Sequence, residues 1–179
     1  MNEYEVILEN IAALSREIIK ICSGNGLKVS AAESCTGGMI SAALTSVSGS
    51  SAVIELGVCA YSNRIKREVL GVSKETLREH TEYSVRCAEE MARGVMRLAG
   101  ADFGISTSGI AGPSGATEND PVGTVYIGYA DKDGSFAARY VFEDIPGGSA
   151  SERDHIRALS TEKALGILKL KIENKIQRV

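Results

Sequence analysis

Histidine is scarce in this 179-residue sequence, which has only His80 and His155. Neither falls in a loop suited to hold a nucleophile, so a Ser-His-Asp arrangement has little support. The four cysteines, Cys22, Cys35, Cys59 and Cys87, show no paired CxxC spacing. With so few histidines beside them, no metal site is expected, and they read as small buried apolar residues kept reduced in the cytosol. Only Cys35 lies in a chemically interesting stretch. Charges interrupt every apolar run well short of the roughly 20 residues a membrane-spanning helix requires. The opening residues carry Glu3, Glu5 and Glu9, whereas a signal peptide needs a basic start. A cytoplasmic protein without a membrane partner is expected. The net charge of -3 offers no basic surplus for broad nucleic-acid binding, while leaving room for a small anionic substrate held by local positive charge.

What is present suits one ordinary domain: 44% apolar and 24% charged residues, and enough chain to bury a core without disulfides. Ile7, Ile11, Leu14, Ile18 and Cys22 recur at helical spacing before Gly24-Asn25-Gly26, which suits a helix end. Leu27, Val29 and Ala31 then alternate as a short strand, followed by a polar loop and a second helix-like run. Val53 to Tyr61 reads as a mostly buried strand. Ser62 or Asn63, Ser73 and Ser84 can each cap a following helix, the last running through Leu98 to Gly100. Phe103 to Ser108 is a third strand. Val122 to Ala130 and Phe136 to Phe142 flank Asp131-Lys132-Asp133-Gly134 as a hairpin. Ser151 and Asp154 open a final helix with Ile156, Leu159, Ala164, Ile167 and Leu168 on its apolar face. The order α-β-α-β-α-α-α-β-β-β-α predicts a single three-layer αβα domain over residues 1–179, with a mixed, mostly parallel sheet of about five strands.

Parallel α/β sheets bind ligands beyond the carboxyl ends of their strands, and the first three strands here end near Ser34, Tyr61 and Ser108. Ser34 precedes a helix start in a glycine-containing loop, where backbone N–H groups can stabilise an oxyanion; an N-cap serine is the competing reading. Without a nearby histidine, Lys66 becomes the candidate base, provided its surroundings lower its pKa, and Tyr61 could relay or orient the proton. A solvated helix lysine and a half-buried strand tyrosine are the plain alternatives. The Gly109 to Gly115 loop permits close backbone approach to a ligand but lacks a Walker lysine. Arg153 and Arg157, one turn apart at the start of the last helix, can hold a phosphate, or can be a solvated pair.

Ala32-Glu33-Ser34-Cys35-Thr36-Gly37-Gly38, Tyr61-Ser62-Asn63-x-x-Lys66 and Ser108-Gly109-Ile110-Ala111-Gly112-Pro113 together resemble the CinA C-terminal domain family, the nicotinamide mononucleotide deamidases. The likeness spans roughly Glu9 to Leu168 and takes in Pro121-Val122-Gly123-Thr124-Val125 and the Arg153-x-x-x-Arg157 pair. It implies metal- and cofactor-independent hydrolysis of the carboxamide of nicotinamide mononucleotide to nicotinic acid mononucleotide and ammonia. In the roles it implies, Ser34 attacks, Lys66 with Tyr61 handles protons, and backbone donors near Thr36 and Gly37 hold the oxyanion. Thr36, Gly37, Gly38, Ser108, Gly109, Ala111 and Gly112 would line the substrate site, with Arg153 facing the phosphate and Arg157 supporting it. The chain departs from the family near residues 144–152, where Ser151-Glu152-Arg153 replaces Gly-Asp-Arg after a longer Ile145-Pro146-Gly147-Gly148 segment. A standalone form is expected, without the separate N-terminal domain that often precedes this module, and the resemblance further implies a homo-oligomer. Two alternatives are a non-catalytic regulatory module linked to competence or DNA damage, and a Ser-Lys amidase for another small amide or peptide.

Overall fold

A computed structural model describes residues 2–143 and 150–177. The order is α1 (Glu3–Asn25), β1 (Val29–Glu33), α2 (Met39–Thr45), a 3₁₀ turn (Ser50–Ala52), β2 (Ile54–Cys59), α3 (Asn63–Glu68), α4 (Lys74–Glu79), α5 (Val85–Ala99), β3 (Phe103–Gly109), β4 (Thr124–Asp131), β5 (Gly134–Val141) and α6 (Glu152–Ile176). The expected sequence of helices and strands is therefore present, with the 3₁₀ turn added. Side-chain caps explain most helix starts. Asn2 and Glu5 form a capping box at α1, and Ser62, Ser73, Ser84 and Ser151 accept N–H bonds at α3, α4, α5 and α6. Gly26 and Gly100 end α1 and α5 in left-handed backbone that a Cβ would penalise.

The five strands lie in the order β2-β1-β3-β4-β5. β1 pairs in parallel with β2 and β3, while β3–β4 and β4–β5 are antiparallel. Four strands thus share one direction and β4 alone opposes them. The chain leaves β1 for β2 on one side and returns for β3 on the other, which puts a crevice at the carboxyl end of β1. The hairpin closes between Asp131 and Gly134, and the Asp131 carboxylate accepts from the N–H groups of Asp133 and Gly134.

Alternation along the strands sorts the two faces. Val29, Ala31, Phe103, Ile105, Val125, Ile127 and Tyr129 join Ile11, Ile18, Ile156, Leu165 and Leu168 in the larger core under α1, α2 and α6. The first and last helices run parallel, since Tyr4 meets His155, Asn10 bonds Glu162 and Glu17 pairs with Lys169 along their length. On the opposite face, Ala32, Cys87, Met91 and Val95 form the smaller core under α5.

That second face is floored with small residues so that α5 can lie close. A Cβ on Gly104 would stand 2.2 Å from the Ala92 carbonyl oxygen, and one on Gly128 would stand 2.2 Å from that of Ala88. The Ser106 hydroxyl donates to the Ala88 carbonyl at 2.5 Å, tying sheet to helix.

Two expectations need correction. β2 is not mostly buried: it is an edge strand whose residues alternate between half-buried and exposed, because it pairs on one side only. Its Cys59 is consequently exposed, whereas Cys22, Cys35 and Cys87 are buried. The longer segment noted from Ile145 to Gly148 lies outside the described residues.

Gly104→Ala should cost about 1–3 kcal/mol by overpacking the α5 interface. Gly166 sits inside α6 with nothing within 4 Å of where a methyl group would stand, so Gly166→Ala should instead add about 0.5–1 kcal/mol. Chemical denaturation of the two variants checks the opposite signs.

Candidate active site

Ser34 is the first residue past β1, and its neighbours on both sides hold it. Its N–H donates to the Thr107 carbonyl at 2.9 Å, and the Ala60 N–H donates to the Glu33 carbonyl at 2.8 Å. The backbone carrying the hydroxyl is thus pinned between β3 and the end of β2. Ser34 is only 7% exposed.

Ser34 is not a helix cap. The N-cap of α2 is Gly38, in left-handed backbone and without a side-chain bond. Glu33 does that work: one carboxylate oxygen accepts from the Thr36 hydroxyl (2.7 Å) and the N–H groups of Gly38 and Ile40 (3.0 Å each). The other accepts from the Ser41 N–H (2.9 Å) and hydroxyl (2.7 Å). Glu33 is fully buried, and its charge sits where the α2 N–H groups converge.

Lys66 comes from the last turn of α3 and is 1% exposed. Its Nζ lies 3.0 Å from Ser34 Oγ and 3.0 Å from the Ala60 carbonyl, with the Tyr61 carbonyl at 3.4 Å. Burial lowers its pKa from the ordinary lysine value; Cys87, Glu82 and Cys35 act in the opposite sense. The solvated-lysine alternative does not describe this side chain. An uncharged amine 3.0 Å from a serine hydroxyl can accept its proton, which is what a nucleophile of this type needs.

The neighbouring thiol does not compete. Desolvation pushes the Cys35 pKa up to about 12, outweighing the N–H groups of Cys35 and Thr36 and the Lys66 charge. Those two N–H groups donate to no backbone carbonyl among the described residues. The Gly37 N–H is engaged by the Ser34 carbonyl at 3.1 Å and the Gly38 N–H by Glu33, so the Cys35 and Thr36 N–H groups are the candidate oxyanion donors of this loop.

Tyr61 is 65% exposed. It meets Lys66 through its backbone carbonyl; its hydroxyl lies 3.4 Å from Arg153 Nη2. Arg153 also donates to the Gly112 carbonyl at 2.6 Å and so joins α6 to the glycine loop. Arg157 turns the other way. It donates to the Thr36 carbonyl at 3.0 Å and pairs with Asp154 at 3.6 Å, clamping the nucleophile loop from α6.

Ser34, Tyr61, Lys66, Gly109, Ala111, Gly112 and Arg153 line one pocket of about 220 Å³. Thr36, Gly37, Gly38, Ser108 and Arg157 are not among its lining residues. Thr36 is fully buried between Glu33 and the Thr107 hydroxyl, and the Ser108 hydroxyl donates to the Glu82 carbonyl at 2.7 Å. Lining residues that sequence reasoning passed over are Glu82 and Tyr83, while Cys35, Ile110, Ser114 and Gly115 lie within the two loops it singled out. Glu82 and Tyr83 carried no signal beyond preceding the Ser84 cap. Glu33 offered one: a carboxylate ending an otherwise apolar strand just before a helix start.

The sequence matches the CinA C-terminal domain over residues 11–172. The chain belongs to that family. Among its relatives, a CinA-like protein of Shewanella sediminis is 43% identical over 164 residues, 92% of this chain and 37% of its own length. A putative competence-damage inducible protein of Thermoanaerobacter sp. is 41% identical over 152 residues, 85% of this chain and 35% of its own. The chain thus spans little more than a third of these relatives. The CinA fold is also seen in the competence/damage inducible protein CihA from Agrobacterium tumefaciens, with a TM-score of 0.84, 38% identity and coverage of 92% of this chain and 96% of that one. The competence damage-inducible protein A (ComA) from Klebsiella pneumoniae gives 0.83 and 34%, covering 91% and 97%.

Glu33→Ala should cost about 3 kcal/mol or more, because it strands buried donors of a fully satisfied carboxylate; Glu33→Gln should cost less, since one oxygen can still accept. Thermal unfolding should show a melting point lower by about 6 °C or more for the alanine variant.

Proposed function

We propose that this CinA-family domain is a nicotinamide-nucleotide amidohydrolase, which converts the carboxamide of nicotinamide mononucleotide to the carboxylate of nicotinic acid mononucleotide and releases ammonia. The single observation that carries the reading is the buried Lys66 amine 3.0 Å from Ser34 Oγ at the crevice of the sheet. Such a pair has little use in a purely structural module, since burying a lysine is unfavourable.

In this scheme the uncharged Lys66 amine takes the Ser34 proton as Oγ attacks the amide carbon. The N–H groups of Cys35 and Thr36 receive the oxyanion. The C–N bond then breaks, Lys66 returns the proton to the departing nitrogen, and ammonia departs while the acyl group stays as an ester on Ser34. Water, deprotonated by the same amine, attacks that ester and frees the carboxylate and the serine. Arg153 is the cation best placed to meet the substrate phosphate, as it lines the pocket on the first turn of α6. Arg157, already engaged with Thr36, positions the nucleophile loop. The Tyr61 hydroxyl orients Arg153 in this scheme and has no contact with Lys66 through which to move a proton.

Ammonia release should occur with nicotinamide mononucleotide in the presence of chelator, and fall sharply with the unphosphorylated riboside and with free nicotinamide. Ser34→Ala should lower it by at least about a thousandfold while the fold is kept. Equal turnover of all three compounds would point to a general amidase, and undiminished activity in Ser34→Ala would remove the nucleophile assignment. Because burial depresses the Lys66 pKa, its reactive uncharged form accumulates as pH rises. The rate should therefore climb with pH and level off at a value below that of an ordinary lysine, with Lys66→Arg inactive throughout. A pH–rate profile of kcat/KM reads this directly.

A further inference from the structure

The segment between α4 and α5 enters the same pocket with two side chains that the acyl-transfer scheme does not use, Glu82 and Tyr83. It is held in an unusual shape. Thr81 has a φ of 64°, the one non-glycine residue with positive φ among the described residues. The Thr81 hydroxyl accepts from the Tyr83 N–H at 3.2 Å, its carbonyl accepts from the Ser84 hydroxyl at 3.1 Å, and the Glu82 carbonyl accepts from Ser108 at 2.7 Å. Backbone bonds thus fix the position from which the Glu82 and Tyr83 side chains meet the cavity.

The Glu82 carboxylate has one polar partner among the described residues, the uncharged amide of Asn63 at 3.1 Å. It is half-buried and carries no counter-cation within ion-pairing distance among the described residues. Among the described residues it is the only acid lining the pocket, and Tyr61 and Tyr83 line it too. Desolvation, then the nearby Glu82, Tyr61 and Cys35 groups, raises the Tyr83 pKa, so its phenol stays protonated. Among the described residues Arg153 is the one guanidinium in the lining. The pocket therefore gathers an acid, two tyrosines and a cation, a set complementary to a ligand that carries a flat cation at one end and an anion at the other.

We propose that Glu82, assisted by the Tyr61 and Tyr83 rings, is a specificity-determining residue that selects substrates whose amide is borne on a positively charged aromatic ring. This rests on the nucleotide reading above, in which the ring nitrogen bonded to ribose makes the base a pyridinium. The carboxylate would favour that ring over an uncharged ring of the same shape, while Arg153 meets the phosphate.

The test compares two nucleotides of equal shape: nicotinamide mononucleotide and its C-nucleotide counterpart, in which an uncharged 3-carbamoylphenyl ring is bonded through carbon to C1′ of ribose 5′-phosphate. Binding is measured by calorimetric titration in the Ser34→Ala background, so that neither is turned over. Ser34→Ala should bind the cationic nucleotide about tenfold tighter than the uncharged one. Adding Glu82→Gln should cut that ratio about fivefold through weaker binding of the cation alone, and Glu82→Asp should restore part of it. Unchanged affinity for the uncharged nucleotide shows that the variant pocket is intact. Binding of both nucleotides with a ratio that Glu82→Gln leaves unchanged would overturn this proposal and spare the substrate reading. Failure of Ser34→Ala to bind either nucleotide would overturn both.

Discussion

The buried carboxylate of Glu33 is the constraint on which the site depends. A strand that ends inside a sheet and a helix that starts just past the following loop leave a cluster of N–H groups without partners. In this chain no serine or threonine cap closes α2; a buried carboxylate side chain does, with five bonds to Thr36, Gly38, Ile40 and Ser41. Because those bonds take up the donors of Gly38, Ile40 and Ser41, the donors left over are the N–H groups of Cys35 and Thr36, next to the nucleophile. The side-chain clasp and the reactive loop are consequently one unit, and the Arg157 bond to the Thr36 carbonyl braces it from α6.

The same economy runs through the sheet. β1 sits between β2 and β3, so the end of the strand is bonded on both sides, through Ala60 and Thr107. The β2 side also delivers Lys66, since the chain turns directly from the Ala60 and Tyr61 carbonyls into α3 and the lysine reaches back over both. Placing an amine there costs desolvation free energy, which lowers its pKa and favours its uncharged, proton-accepting form relative to a solvated lysine. The close approach of α5 over Gly104 and Gly128 fixes the opposite wall, and through the turn before α5 it fixes Glu82 and Tyr83.

Family membership and local geometry inform different questions. The CinA C-terminal domain match and the fold of the Agrobacterium and Klebsiella proteins speak to ancestry and architecture. The reaction is argued from the Ser34–Lys66 distance and the pocket around it. The competence and damage terms in the curated relatives' names describe proteins of which the matched segment is 35% in the Thermoanaerobacter case, and nothing in this pocket bears on them.

By itself the sequence determined the order of elements, because helix caps, glycine stops and hydrophobic periodicity act over a few residues: Ser62, Ser73, Ser84, Ser151, Gly26 and Gly100 all stand where local patterning placed them. It also marked Ser34, Lys66 and the Gly109–Gly112 stretch, which the fold gathers into one pocket. What it could not distinguish was a buried lysine from a solvated one, or a cap serine from a nucleophile, since both depend on partners 32 residues away. The edge position of β2, the split roles of Arg153 and Arg157 one turn apart, and the approach of Glu82 to the site were decided by tertiary structure alone. Each depends on which element packs alongside, and no spacing within a single segment encodes that.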